Sequence, residues 1–340
     1  MKTETVAAIY DRPRRSQTAA TERAVKLLCK GEIVALPTET VYGLAADALD
    51  PLAVAKIFEA KGRPRFDPLI VHLPNKEWLE RIAKIGNRSR DLIEKLIAQF
   101  WPGPFTLVLD RQSIVPGIVT AGLDTVAVRM SAHPVFTEVV RAFGKPLAAP
   151  SANRFGRVSS TTAQHVLEEL NSRIPLIVDA GPCEHGIEST IVAIRDGKIS
   201  ILRRGPITAE QLSSFGEIDM ADDTKISAPG QLPSHYAPKT PLQLVDDARS
   251  FAAGPNQRSA LLAWNPVEKE GRFVTVRNLS QRQDLREAAA NLFRYLHELD
   301  ELNLDLIVAE RVPNRGLGAA ILDRLQRASH RQPDVRDMPE

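Results

Sequence analysis

The stretch Lys61-Gly62-Arg63-Pro64-Arg65-Phe66-Asp67-Pro68 alternates cations with backbone breakers, and the apolar run Leu69-Ile70-Val71 follows at once, ending in His72. Gly62, Pro64 and Pro68 disfavour regular helix and sheet, so Lys61, Arg63 and Arg65 cannot spread along one regular face. A solvated surface loop would satisfy this composition. The immediate passage into a buried strand points instead to a polyanion site, because arginine supplies a planar fork and lysine a point charge, the pair suited to a phosphate chain.

Other segments carry chemistry at strand ends. Pro37-Thr38-Glu39-Thr40-Val41-Tyr42-Gly43-Leu44 sets hydroxyls, a carboxylate and a phenol just after the buried strand 33–36, where open α/β sheets hold ligands. Thr38 reads equally as a helix cap, whereas Thr40 is the better ligand candidate. In Asp124-Thr125-Val126-Ala127-Val128-Arg129, the strand buries Arg129 at its end, where an unpaired charge is costly. Its anion is either a structural carboxylate or the carboxylate of a ligand. The apolar run 146–150 empties into Ser151-Ala152-Asn153-Arg154-Phe155-Gly156-Arg157, whose hydroxyl and amide groups suit phosphate, ribose or base. Gly186-Ile187-Glu188-Ser189-Thr190 is a polar step before the strands 191–194 and 199–202. Asp196-Gly197 turns that hairpin, and Arg203 and Arg204 close it with two further cations.

The elements that must position these groups alternate. Helices are expected over 21–30, 51–60, within 77–100, over 134–143 and around His165, the last capped from Ser159 to Thr162, with His165 on the helix surface. Leu52, Val54, Ile57 and Phe58 are expected to face inward. Trp101 reads as core packing rather than a base-stacking platform. From about residue 209 to 244 the periodicity fades. The segment 228–238 is rich in proline yet carries His235 and Tyr236, which leaves a stiff linker and an ordered arm as two readings. Beyond it, strands at 243–245, 259–264, 273–276 and 304–309 alternate with helices at 285–299 and 318–328, implying a small parallel sheet. Gly316-Leu317-Gly318 lacks the third glycine of a dinucleotide fingerprint, with Ile321 in its place, and reads as close packing.

The totals exclude several classes. The 340 residues favour two domains, and 44 Lys and Arg against 42 Asp and Glu leave a net charge of +2, too balanced for a generally basic nucleic-acid coat. Apolar content of 43% and charged content of 25% fit a soluble globular chain. Cys29 and Cys183 make neither a disulfide framework nor a metal knuckle. The first twenty residues lack an apolar core of signal-peptide length and no run reaches a membrane span, so a cytoplasmic protein is expected. A P-loop, a nucleophile elbow, a His-Glu-x-x-His motif and a full dinucleotide fingerprint are all missing.

Taken together, Pro37 to Leu44, Lys61 to His72, Thr125 to Arg129, Pro150 to Asn153 and Glu188 to Thr190 resemble the YrdC-type threonylcarbamoyl-AMP synthase family of tRNA-modification enzymes, in its long two-domain form. The resemblance implies a YrdC-like twisted open mixed sheet with helices over 1–210, a proline-rich linker over 211–241, and a small Rossmann-like parallel α/β domain over 242–340. It implies a reaction joining L-threonine, bicarbonate and ATP, with Mg2+ accompanying the nucleotide and pyrophosphate released. Downstream proteins would receive the threonylcarbamoyl group for tRNA, with direct contact to double-stranded RNA or tRNA left open and no membrane involved. Carried onto this chain, L-threonine falls to Thr40, His72, Arg129, Ala149 and Ser189. ATP falls to Lys61, Arg63, Asp67, Thr125, Ser151, Asn153, Ser159 and Arg203, with Lys61 and Arg63 catalytic and His235 and Tyr236 a lid. Many relatives would carry an amide where this chain has Asp67. The alternatives are a double-stranded RNA-binding module without catalysis and a carbamoyl transferase working through a carbamoyl-adenylate.

Overall fold

A computed structural model of the protein describes residues 2–7, 19–195, 197–220, 228–230, 235–266 and 272–330. The chain divides into two compact units. One comprises Met1–Phe155, Ser160–Glu184 and Glu188–Gln231, the other Gly156–Ser159, His185–Ile187 and Leu232–Glu340.

The first unit is built on a mixed sheet of twelve strands among the described residues. In chain order they are β1 (Glu4–Ala7), β2 (Val34–Leu36), β3 (Gly43–Asp47), β4 (Ile70–His72), β5 (Ala83–Lys84) and β6 (Phe105–Arg111). They continue as β7 (Thr125–Arg129), β8 (Leu147–Ala148), β9 (Leu176–Asp179), β10 (Thr190–Arg195), β11 (Lys198–Arg203) and β12 (Ile218–Met220). Their spatial order is β1-β9-β2-β3-β8-β4-β7-β6-β10-β11-β12, with β5 paired to β6. The short strands β2 and β4 are buried throughout, which explains why they read as continuous apolar runs rather than alternating ones.

Register gathers the polar groups. Parallel pairing sets His72 of β4 opposite Arg129 of β7, and antiparallel pairing sets Arg129 opposite Thr106 of β6. Thr106 in turn lies opposite Ile191 of β10, two residues after Ser189. A one-residue slip anywhere in this row would turn a polar side chain to the other face.

The helices largely follow the apolar periodicity. Pro51–Lys61 begins with Asp50 accepting from the Leu52 N–H and with proline in the first turn, then stops at Gly62, whose φ of 61° is left-handed. Lys61 is therefore the last helical residue, not part of the irregular loop. Leu52, expected inward, is 77% exposed, because the first turn projects past the core that Val54, Ile57 and Phe58 fill. Pro134–Phe143 and Arg90–Phe100 pack their apolar stripes as expected. Thr162 caps Ala163–Leu170 by accepting from the His165 N–H, but His165 itself is buried and its Nδ1 meets Thr161 Oγ1 at 3.3 Å, a correction to its expected surface position. Trp101 is buried and donates from Nε1 to the Phe105 carbonyl at 2.7 Å, which is core packing. Asp196 lies outside the described residues, though β10 and β11 form the expected hairpin.

The sheet of the first unit continues beyond 210, since β12 pairs in parallel with β11 within the stretch read as linker. Ala228 is also fully buried, in a cluster with Ile70, Val108, Ile191 and Leu202. Residues 221–227 and 231–234 of that stretch lie outside the described residues.

The second unit carries β13 (Leu242–Val245), β14 (Ser259–Ala263), β15 (Thr275–Asn278) and β16 (Leu306–Glu310), all parallel in the order β13-β16-β14-β15. Helices Leu285–Asp300 and Leu317–Ser329 cover it. The expected small parallel α/β sheet is thus present. Gly318 is required by a close approach, since a Cβ there would lie 1.9 Å from the Pro313 carbonyl oxygen.

Candidate active site

The turn between β2 and β3 delivers the first group of polar side chains. Thr38 caps no helix. Its Oγ1 accepts from the N–H groups of Thr40 and Val41 at 3.1 and 3.2 Å, a local hydroxyl turn that fixes the backbone of 38–41. Glu39 and Thr40 are thereby aimed at Arg129. The Arg129 guanidinium donates from Nη2 to Glu39 Oε1 at 2.5 Å, from Nη1 to Thr40 Oγ1 at 3.1 Å and from Nε to the Gly103 carbonyl at 3.1 Å. Ser131 closes the group by donating to Glu39 Oε2. Arg129 thus has a structural carboxylate partner in Glu39.

Burial opposes ionisation of Glu39, but the charge of Arg129 and the hydrogen bonds from Ser131 and Arg129 outweigh it and hold its pKa at about 2. His72 is the reverse case. Burial, and then the Arg129 charge, pull it down to about 3, so the imidazole is neutral. Its Nδ1 is buried without a hydrogen-bond partner among the described residues.

A second group sits around Lys61. Its Nζ donates to the carbonyls of Ser151 and Asn153 at 2.7 and 2.6 Å, and burial followed by repulsion from Arg63 depresses its pKa well below the usual lysine value. Ser151 and Asn153 therefore meet Lys61 through their backbones. Arg63 donates to the Asp67 and Pro68 carbonyls at 3.2 and 2.7 Å and pairs with the Asp67 carboxylate at 2.9 Å. Asp67 is raised by burial, against the lowering effects of Arg63, Lys61 and Arg203. The residue carried over as a nucleotide contact is thus tied to Arg63.

Ser189 joins the two groups. Its Oγ lies 2.8 Å from Thr106 Oγ1 and 3.1 Å from Arg203 Nη2, while Arg203 Nε and Nη2 also donate to the Ser189 carbonyl. Arg203 Nη1 reaches the Pro229 carbonyl at 3.3 Å. Ala149 adjoins the row through its N–H, which donates to the Ile70 carbonyl at 3.0 Å.

The remaining expected residues sit on other elements. Thr125 begins β7, four residues from Arg129 and hence about 13 Å along the strand, and is opposite Asp110. Ser159 belongs to the second unit, where its carbonyl lies 3.2 Å from His297 Nε2. His235 and Tyr236 also belong to the second unit: their rings meet at 4.1 Å, Tyr236 stacks on Phe293 at 5.6 Å, and the Arg324 guanidinium lies 4.9 Å from the Tyr236 ring. Conversely, Glu39, Ser131 and Thr106 take part without having been singled out. Glu39 was legible as the carboxylate of the Thr38–Thr40 turn. Thr106 gives no signal before strand register is known.

No group of three or more His, Cys, Asp or Glu among the described residues could cage a metal ion. The donor set does fit a divalent ion arriving on a nucleotide, because both Asp67 carboxylate oxygens are buried and lack an aligned hydrogen bond.

The first unit is thus an open α/β sheet that holds two buried polar clusters, Arg129 with Glu39, Thr40 and Ser131 in one, and Lys61, Arg63 and Arg203 around Asp67 in the other. Residues 26–205 match the Sua5_yciO_yrdC family model, described as "Telomere recombination", and 207–330 match "Threonylcarbamoyl-AMP synthase, C-terminal domain". The chain belongs to this Sua5/YrdC family, in the form that carries the additional C-terminal domain. It is 39% identical to the threonylcarbamoyl-AMP synthase of Pyrococcus abyssi over 90% of this chain and 93% of that protein. The Bacillus subtilis protein of the same name is also 39% identical, over 90% of this chain and 92% of its own length. The crystal structure of P. abyssi Sua5 complexed with L-threonine superposes with a TM-score of 0.83 at 35% identity, covering 96% of this chain and 98% of that one.

Proposed function

We propose that this protein is a threonylcarbamoyl-AMP synthase, joining L-threonine, bicarbonate and ATP into threonylcarbamoyl-adenylate with release of pyrophosphate. The observation that carries the reading is the bridge at Ser189, which links the Arg129 row to the cation cluster through one hydroxyl and one carbonyl. A carbamate formed on an amino acid in one seat would then face a nucleotide in the other.

In this reading, Arg129 receives the threonine carboxylate and Thr40, His72, Ala149 and Ser189 its remaining groups. The neutral imidazole of His72 offers one donor and one acceptor, and its buried Nδ1 awaits a partner. The unprotonated amine adds carbon dioxide with release of a proton, or condenses with bicarbonate with release of water, to give a carbamate. A carbamate oxygen attacks the α-phosphorus, the bond to the pyrophosphate oxygen breaks, and no side chain forms a covalent bond. Lys61, Arg63 and Arg203 stabilise charge on the triphosphate, while Ser151 and Asn153 hold Lys61 through their carbonyls. Mg2+ bound to the nucleotide would neutralise part of the same charge. Thr125 and Asp67 complete the nucleotide assignments within the first unit.

The product would pass to proteins that transfer the threonylcarbamoyl group to tRNA in the cytoplasm. No described helix is long and apolar enough to cross a membrane. Double-stranded RNA binding without chemistry is not favoured, because Lys61, Arg63 and Arg203 are 2%, 8% and 7% exposed and a phosphate backbone needs surface cations.

The direct experiment measures pyrophosphate release by the purified protein with ATP and Mg2+, omitting threonine and bicarbonate in turn. Release that requires both, with threonine preferred to serine, is expected. Release without threonine would indicate a carbamoyl transferase, and none from folded, ATP-binding protein would overturn the enzyme reading.

A further inference from the structure

Asp67 is out of place in a seat for a polyanion. It is 1% exposed, and three cations face it: Arg63 from its own loop, Lys61 from the end of helix Pro51–Lys61, and Arg203 from β11. Arg63 Nη2 stands 2.9 Å from Oδ2, yet neither carboxylate oxygen receives an aligned hydrogen bond among the described residues. The reason is that Arg63 points its fork at the backbone, with Nε on the Asp67 carbonyl and Nη2 on that of Pro68. A buried carboxylate with both oxygens unaligned requires an explanation, because such groups are ordinarily satisfied.

A triphosphate entering this seat would meet Asp67 as a like charge. A divalent cation between carboxylate and phosphate reverses that repulsion. Magnesium is ordinarily held by one or two carboxylates plus substrate phosphates, with water filling the rest of its shell.

We infer that Asp67 is the protein's own contact to the divalent cation accompanying the nucleotide, and that it makes this seat selective for metal-complexed over free triphosphate. The inference rests on the assignment of ATP to this seat. With three cations around it, Asp67 holds no metal until the nucleotide is present.

The test is binding rather than turnover. The affinity of the α,β-methylene analogue of ATP, whose α–β bridge resists cleavage, is measured calorimetrically for wild type, Asp67→Asn and Asp67→Glu, with Mg2+ either chelated or saturating. Wild type should bind the metal complex roughly tenfold or more tightly than the free analogue, the scale of one partly screened charge interaction. Asp67→Asn should bind the metal-free analogue more tightly than wild type does and lose most of the Mg2+ dependence, while Asp67→Glu should retain it. In parallel, loss of the free-ion Mn2+ electron paramagnetic resonance signal reports metal affinity with the analogue present. Wild type should hold Mn2+ more tightly than the analogue alone, and Asp67→Asn should not. If Asp67→Asn keeps the wild-type Mg2+ dependence and Mn2+ affinity, the inference is wrong while the ATP seat stands. Failure of folded wild type to bind the analogue under either condition would overturn both.

Discussion

Each unit sets a buried carboxylate beside its sheet, Glu310 at the end of β16 and Asp67 in the loop before β4, but the two are finished differently. In the second unit, Glu310 closes β16 and accepts the Ala248 N–H on Oε1 at 2.9 Å and those of Trp264 and Asn265 on Oε2 at 2.9 and 2.8 Å. Those donors follow β13 and β14, so one side chain ties together the loops at the place where open α/β folds hold ligands. In the first unit, Asp67 lacks aligned partners, His72 Nδ1 has none among the described residues, and three cations surround the carboxylate. A carboxylate saturated by backbone donors plugs a crevice, whereas one held by an ion pair without aligned hydrogen bonds keeps acceptor capacity for a ligand. Fold alone would single out the Glu310 edge, and hydrogen-bond accounting points the other way.

The largest expected effect breaks the comparison on the first side. Arg63→Ala removes a charge-stabilising donor and should slow pyrophosphate release by on the order of a hundredfold or more. A melting curve on the same sample guards against unfolding, since Asp67 loses its ion-pair partner. Near-normal turnover would end the catalytic role given to Arg63 and leave its cations as scaffolding, like Glu310.

Glu310→Gln tests the second side and should change stability instead. The amide cannot accept on its nitrogen, so at least one backbone N–H is left unpaired at a cost of about 1–3 kcal/mol. Denaturant unfolding should register that loss, while pyrophosphate release from the folded fraction stays near wild type. Lost activity with unchanged stability would mean that this edge is itself a working site.

The contrast also shows what a sequence can display. The cations of Lys61 to Arg65, the Thr38–Thr40 turn and the buried Arg129 were legible because composition departs locally from what a strand or loop needs. Helices 134–143 and 285–299 were legible from period alone, and so was the parallel character of the second sheet. The partner of Arg129 was not, because Glu39 lies ninety residues away on the turn between β2 and β3, which only the folded sheet brings to the end of β7. Strand β3 was missed because its Gly-Leu-Ala-Ala-Asp sequence is weak in strand formers and owes its state to neighbours on both sides. The nominal linker hid β12 for a related reason: three residues paired to a hairpin edge have no periodicity to read.

The smallest effect per unit of perturbation is electrostatic and concerns the Arg129 row alone. His72 binds a proton at about pH 3 when folded against 6.5 when unfolded, because burial and Arg129 oppose its charge. Below pH 6.5 the unfolded chain therefore takes up a proton that the folded one refuses, and stability falls as pH falls, by about 1.4 kcal/mol per pH unit for one full proton. His133 is lowered by burial as well and acts in the same direction. Glu39, held at about 2 against 4.5, adds its loss only below about pH 4.5, whereas Asp67, whose pKa is raised, works the opposite way in the acid range. Between pH 6.5 and 5 the slope thus belongs to the histidines. Unfolding free energies across that window should decline in wild type and flatten by up to one proton in His72→Asn. An unchanged slope would mean that His72 titrates when folded, that its pocket admits water, and that the row is less closed than the buried Arg129–Glu39 pair requires.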